Sequence, residues 1–175
     1  LYRQRDGRSL RTSSLSPAEN ANARDVRGTV MKTARQECRE LGAEVQPSML
    51  RLLGSVADSE NGPEIINLAA RFYDTLRRPA PAPEGFLEKL GLANLYGWVA
   101  YTVYDDFLDD EGKPALLPAA NVAMRRSLAC FSAALGGDKD FRTCVRTTFD
   151  RIDNANAWEV SHCRFTVRTG HIIVG

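Results

Sequence analysis

Five carboxylates fall within seven residues at Asp105-Asp106-Phe107-Leu108-Asp109-Asp110-Glu111, at the C-terminal end of the most apolar helical stretch in the chain. Negative charge is disfavoured at a helix C-terminus by roughly 0.3–1 kcal/mol, and neighbouring carboxylates repel one another besides. Such a placement calls for a compensating cation. At about 100° per residue, Asp109 lies ~40° round from Asp105 and one turn on, so their oxygens converge, whereas Asp106 points ~100° away from Asp105. Mg²⁺ takes hard oxygen ligands and typically uses one or two carboxylates, completed by substrate phosphates and water. The same helix face continues N-terminally through Thr102, Tyr101, Trp98 and Asn94. An aromatic wall with an acidic mouth suits an apolar substrate that carries a charged head.

The run Asp105-Asp106-Phe107-Leu108-Asp109, an Asp-Asp-x-x-Asp motif near the end of an apolar helix, resembles the class I isoprenoid synthases, the trans-prenyltransferase and terpene synthase superfamily. The resemblance implies an antiparallel helical bundle in which Asp105 and Asp109, with Asp106 as a lesser ligand, hold Mg²⁺ against the diphosphate of an allylic isoprenyl substrate. Ionisation then leaves a carbocation. By the same resemblance Trp98 and Tyr101 face cationic intermediates, since ring faces attract positive charge by ~0.5–2 kcal/mol. Asn94 and Thr102 would complete the substrate wall, and a homodimer is the implied assembly.

Two features depart from the family pattern. Prenyl-elongating enzymes commonly carry an Arg-Arg pair a few residues after the first motif. Here Gly112-Lys113-Pro114 follows, and the nearest pair is Arg125-Arg126, assigned as a diphosphate contact by charge alone. Arg77-Arg78 has the same basis and less support. The family's second metal motif has no counterpart here. Its nearest substitute is Asp150 to Glu159, where Asp150 and Asn154 are spaced i, i+4 and Asn156 and Glu159 i, i+3. The second motif is therefore expected beyond Gly175, and the chain reads as the N-terminal part of a bundle, incomplete at its C-terminus.

The elements that must carry these residues are helices. Ser16-Pro17-Ala18-Glu19 is a helix start with a capping box, and Val26, Val30, Met31, Ala34, Cys38 and Leu41 form one apolar stripe ending at Gly42. Pro47 and Pro63 open two further helices. The prolines of Arg77-Arg78-Pro79-Ala80-Pro81-Ala82-Pro83 forbid a helix there. Helical pattern resumes over 84–90 and, after Gly91, over 92–110, with Gly112 and Pro114 as stops. Pro118 begins a helix to Leu135, closed by Gly136-Gly137, and Asp138 caps one more to about Val160. A short strand competes with helix over 164–168. Residues 1–15 form a basic arm without hydrophobic period, and residues 16–175 a single all-α domain.

Composition bounds the rest. With 23 Lys and Arg against 22 Asp and Glu, the net charge of +1 provides no global field for nucleic acid or an anionic membrane. No stretch approaches the ~18 apolar residues of a membrane span, and the N-terminus lacks a signal-peptide core. Cys38, Cys130, Cys144 and Cys163 are scattered, with only His162 and His171 as nitrogen partners, which speaks against zinc and for free thiols in the cytoplasm. An EF-hand fails because Phe107 and Leu108 occupy ligand positions. A helical nucleotide pyrophosphohydrolase finds its first half in Glu37-x-x-Glu40 but no Glu-x-x-Asp after it. Two readings remain: a Mg²⁺-dependent isoprenoid synthase-like enzyme, and a non-catalytic helical scaffold or interaction domain whose acidic cluster is a solvated helix end.

Overall fold

In the computed structural model, residues 17–76 and 82–164 are described, with side chains over 26–76 and 82–162. The basic arm, the Ser16 capping box, Arg77-Arg78 with most of the proline connector, and the C-terminal segment from Phe165 lie outside the described residues. Six α-helices account for the fold: α1 (Pro17–Arg39), α2 (Gln46–Ala57), α3 (Gly62–Thr75), α4 (Phe86–Leu108), α5 (Leu117–Leu135) and α6 (Lys139–Glu159). There is no strand among the described residues, and Arg164 ends a π-helical turn over Val160–Arg164.

The predicted stripe of α1 is the one it buries, through Val30, Met31, Ala34 and Cys38, with Val26 and Leu41 packed at its edges. These residues meet α4, the central helix, which packs against α1, α2, α3 and α5 and buries Leu92, Leu95, Tyr96, Val99 and Val103. The crossing with α5 is close because α5 offers only small residues there: Ala119, Ala120, Ala123 and Ser127. Ser127 is fully buried, and its hydroxyl donates to the Ala93 carbonyl at 2.8 Å, so its polar atom is satisfied inside the interface.

Two boundaries differ from the sequence reading. Gly91 does not interrupt α4; it is buried mid-helix, and a Cβ there would lie 2.9 Å from Val30 Cγ2 and 3.1 Å from the Ile66 carbonyl. The glycine serves close approach of α1 and α3, not termination. At the other end, α4 stops at Leu108 instead of Asp110, because Asp110 adopts a left-handed backbone (φ 59°). The Asp110 N–H donates to the Phe107 carbonyl and the Glu111 N–H to the Asp106 carbonyl at 2.8 Å, a Schellman closure. Aspartate tolerates this conformation better than most side chains. Gly112, predicted as the stop, instead lies under the Phe107 ring, which leaves no room for a Cβ.

The helix that stands apart is α6. Asp138 caps it as predicted, accepting the Phe141 N–H at 2.9 Å. Yet none of its residues is buried, and its interhelical packing is chiefly against α5.

Gly91→Val should destabilise the fold by about 1–3 kcal/mol through overpacking. Gly54→Ala, in α2 where a Cβ meets nothing within 4 Å, should stabilise it by up to ~1 kcal/mol. Urea unfolding checks both, and a Gly91→Val midpoint equal to that of the parent chain would refute the close approach.

Candidate functional site

The acidic end of α4 keeps the spacing on which a cation site depends. Asp109 is the C-cap, and its N–H still donates to the Asp105 carbonyl at 2.9 Å, so the two residues remain in helical register. Asp105 and Asp109 are exposed, while Asp106 is half-buried. Among the described residues no ion pair engages Asp105 or Asp106.

Beside these carboxylates runs a cleft of about 230 Å³ between α4 and α6, lined by Trp98, Tyr101, Thr102, Tyr104, Asp105, Asp106, Leu108, Ile152 and Asn156. Five sequence-selected residues, Trp98, Tyr101, Thr102, Asp105 and Asp106, thus share one wall. Their spacing on a single helix brings them together, and α6 supplies the opposite side through Ile152 and Asn156. A second cavity of about 450 Å³ continues from it past Tyr101, Tyr104, Met124 and Phe149. Tyr101 stacks on Phe149 of α6 at 6.4 Å between ring centroids. Burial pushes the Tyr101 hydroxyl above its ordinary pKa, with Asp153 and Tyr104 adding to the shift. Tyr104 donates to Asn121 Oδ1 at 2.8 Å, and its pKa is likewise raised by burial, with Arg125 opposing.

Four sequence-selected residues lie elsewhere. Asn94 points at α3, where its Nδ2 donates to the Ile65 carbonyl at 3.4 Å. At that earlier turn α3 covers the face that α6 borders further along. Asp109 does not line the cleft, and exposed Arg125 reaches its neighbourhood only through its charge on Tyr104. Arg126 is committed to a different cluster. Its Nη1 donates to Glu37 Oε2 at 3.1 Å and to the Tyr96 hydroxyl at 3.2 Å, and its Nη2 donates to the Glu37 carbonyl at 2.9 Å. It is thereby withdrawn from the diphosphate role that charge alone suggested.

Sequence reasoning missed this cluster. Tyr96, the largest of the fully buried side chains among the described residues, donates to Glu37 Oε2 at 2.6 Å, and the Arg126 guanidinium sits 5.7 Å from its ring centroid. Burial first, and the bond to Glu37 second, push the Tyr96 pKa far above the tyrosine range. Burial also raises Cys38, and pushes Cys130 up to about 11 with Glu37 adding. With Glu37 so engaged, its pairing with Glu40 as half of a pyrophosphohydrolase motif has no support from the geometry.

The donor set bears on Mg²⁺ directly. Among the described residues no three His, Cys, Asp or Glu side chains gather into a group able to hold a metal by themselves. Two carboxylates in helical register fit an ion that completes its shell with phosphate oxygens and water, and do not fit an all-protein cage. Among the described residues, no helix is long and apolar enough to cross a membrane. The class so defined is a helical bundle with an aromatic cleft and an acidic mouth. Compared with protein families, curated proteins and solved structures, the chain matches none of them.

Arg126→Ala should destabilise the protein by about 2 kcal/mol, short of the 3–5 kcal/mol of a fully buried pair because both partners keep some exposure. The raised thiol and phenol pKa values add a pH dependence. Well below pH 9, the reference value of a thiol, these groups are protonated in the folded and unfolded chain, and their stability contribution is complete. Above it the unfolded chain releases protons that the folded chain retains, so stability falls as pH rises. Denaturant titrations from pH 7 to 11 should show this decline, and Cys130→Ala should reduce its earlier part, leaving the share of Cys38; a flat profile would contradict the buried environment of these groups.

Proposed function

We propose that this chain is a Mg²⁺-dependent, isoprenoid synthase-like protein that binds an allylic isoprenyl diphosphate, its head at the acidic end of α4 and its apolar tail in the α4–α6 cleft. The observation that carries the reading is the shared wall: Asp105 and Asp106 line the same cleft as Trp98, Tyr101 and Thr102. A solvated helix end needs no apolar cavity beside it.

Asp105 and Asp109 would hold the ion, with Asp106 turned into the cleft beside them. Mg²⁺ there supplies neutralisation of the charge on the leaving diphosphate oxygens. The allylic C–O bond breaks with its electron pair leaving on diphosphate, and the protein's part is to face the cation that remains. Trp98 and Tyr101 offer ring faces for that purpose. Tyr101, a neutral phenol at physiological pH, adds no competing charge of its own. The scaffold reading differs in one respect: it assigns the carboxylates no ligand.

Calorimetric titration with geranyl diphosphate should give binding that requires Mg²⁺ and weakens at least tenfold in the Asp105→Asn/Asp109→Asn variant. The single Asp105→Asn variant should melt at or above the parent temperature, because it removes a like charge from a helix C-terminus. Binding that ignores Mg²⁺ or survives the double substitution would return the chain to the scaffold reading.

A further inference from the structure

The cavity beneath α6 has a second end that the proposed function does not use. Between α5 and the first half of α6 lies a groove of about 310 Å³, at the low end of the ~300–1,000 Å³ typical of small-molecule pockets. Leu128 and Phe131 form its α5 wall. Phe141, Val145 and Phe149, spaced i, i+4, i+8, form the α6 wall, and helical periodicity places them on one face. The Phe131 and Phe141 rings, 6.1 Å apart, sit at one end, and the Tyr101–Phe149 stack at the other. Because α6 has no buried residue, this apolar surface is not consumed by packing of the helix itself.

The groove also has a polar rim of definite charge. Arg142 and Arg146, one turn apart, line it on α6, each following an apolar wall residue by one position. Both are exposed, and neither guanidinium forms an ion pair among the described residues. Asp150, a turn beyond Arg146, lines the same groove and offsets part of this charge. Two cations against one anion favour a single negative charge over a diphosphate.

We propose that the α5–α6 groove is a second ligand site, for a monomeric amphiphile with a single anionic head, such as a medium-chain carboxylate. Arg142 and Arg146 hold the head, and Leu128, Phe131, Val145 and Phe149 the chain. The site is independent of the acidic end of α4 and of any metal there. The groove takes one chain, and the exposed α6 positions beside it, Thr143, Thr147 and Asp150, are polar, so a free molecule is favoured over a membrane surface carrying the same head group.

Decanoate, decanol and decyltrimethylammonium have matched chains and different heads, and can be titrated calorimetrically into the full chain at concentrations where each is dissolved as monomer. Decanoate should bind saturably with one site, at least tenfold more tightly than decyltrimethylammonium. Arg142→Gln/Arg146→Gln should weaken decanoate about tenfold and leave decanol unchanged. Val145→Trp should fill the groove and abolish both, with helicity by circular dichroism as its folding control. The Asp105→Asn/Asp109→Asn variant should bind decanoate like the parent, which separates this site from the proposed diphosphate site. The proposal is overturned if the cationic probe binds equally, if the arginine substitutions change nothing, or if binding appears only with anionic phospholipid vesicles.

Discussion

A buried tyrosine hydroxyl must find an acceptor or cost the fold the desolvation of that group, about 1–3 kcal/mol, and Tyr96 meets the demand by tying three helices together. Its hydroxyl donates to Glu37 on α1, and Arg126 on α5 closes the triangle onto both the Glu37 carboxylate and the Glu37 backbone carbonyl. The charge of Glu37 is thereby matched where it is half-withdrawn from water, which is the condition under which such a pair supports a fold. This tie also fixes the rotation of α4. With Tyr96 turned to α1 and α5, residues Tyr101 and Asp105 lie about 140° and 180° round the helix from it, facing away from the core. The cleft wall is what remains of α4 after its other faces have been packed.

That remaining face is covered by α6 in an unusual way. A helix of 21 residues without one buried side chain draws little stability from the core, and its opening free energy belongs to the low end of the range within a domain. It is held instead by the Asp138 cap and by the ring contacts Phe131–Phe141 and Tyr101–Phe149. Between these anchors the cavities follow one another along α6 and share Phe149, Leu128, Tyr101 and Asn156. Along the 14 residues from Arg142 to Asn156, at 1.5 Å each, this amounts to about 21 Å of apolar trough with carboxylates near one end and guanidinium groups at the other.

The helices were legible because their punctuation was strong: proline at the starts of α2, α3 and α5, Asp138 at the cap of α6, and the apolar stripe of α1. Gly91 reads as a break in the sequence because glycine marks both termination and close approach, and only the partner surfaces of Val30 and Ile66 distinguish the two. α4 stops two residues before the end its sequence pattern predicts because Asp110, not Gly112, takes the left-handed turn. Within the site, periodicity sufficed for Trp98, Tyr101, Thr102 and Asp105, which share a helix. It failed at Asn94, because which neighbour covers a given turn is a tertiary fact. The Glu37–Tyr96–Arg126 cluster was out of reach for a stronger reason. Its members are separated by 59, 30 and 89 positions, and an arginine next to another arginine reads as surface charge until its partner is known.

The electrostatics of α4 set what its acidic end can do. Carboxylates at a helix C-terminus each cost a few tenths of a kcal/mol to about 1 kcal/mol, an amount small beside the stability of a folded domain. Energetics alone therefore does not separate a ligand site from a solvated helix end, and the distinction rests on what surrounds the charges. Here Asp106 is half-buried against a cleft whose apolar and aromatic members are two tyrosines, a tryptophan, a leucine and an isoleucine, beside the polar Thr102, Asp105 and Asn156. Apolar walls beside a carboxylate exclude part of its water and strengthen its field, and the phenols of Tyr101 and Tyr104, neutral at physiological pH, add no negative charge. A divalent cation at that point would be attracted by the carboxylates and, through its own charge, would orient a phosphorylated head toward them and leave an apolar tail for the cleft.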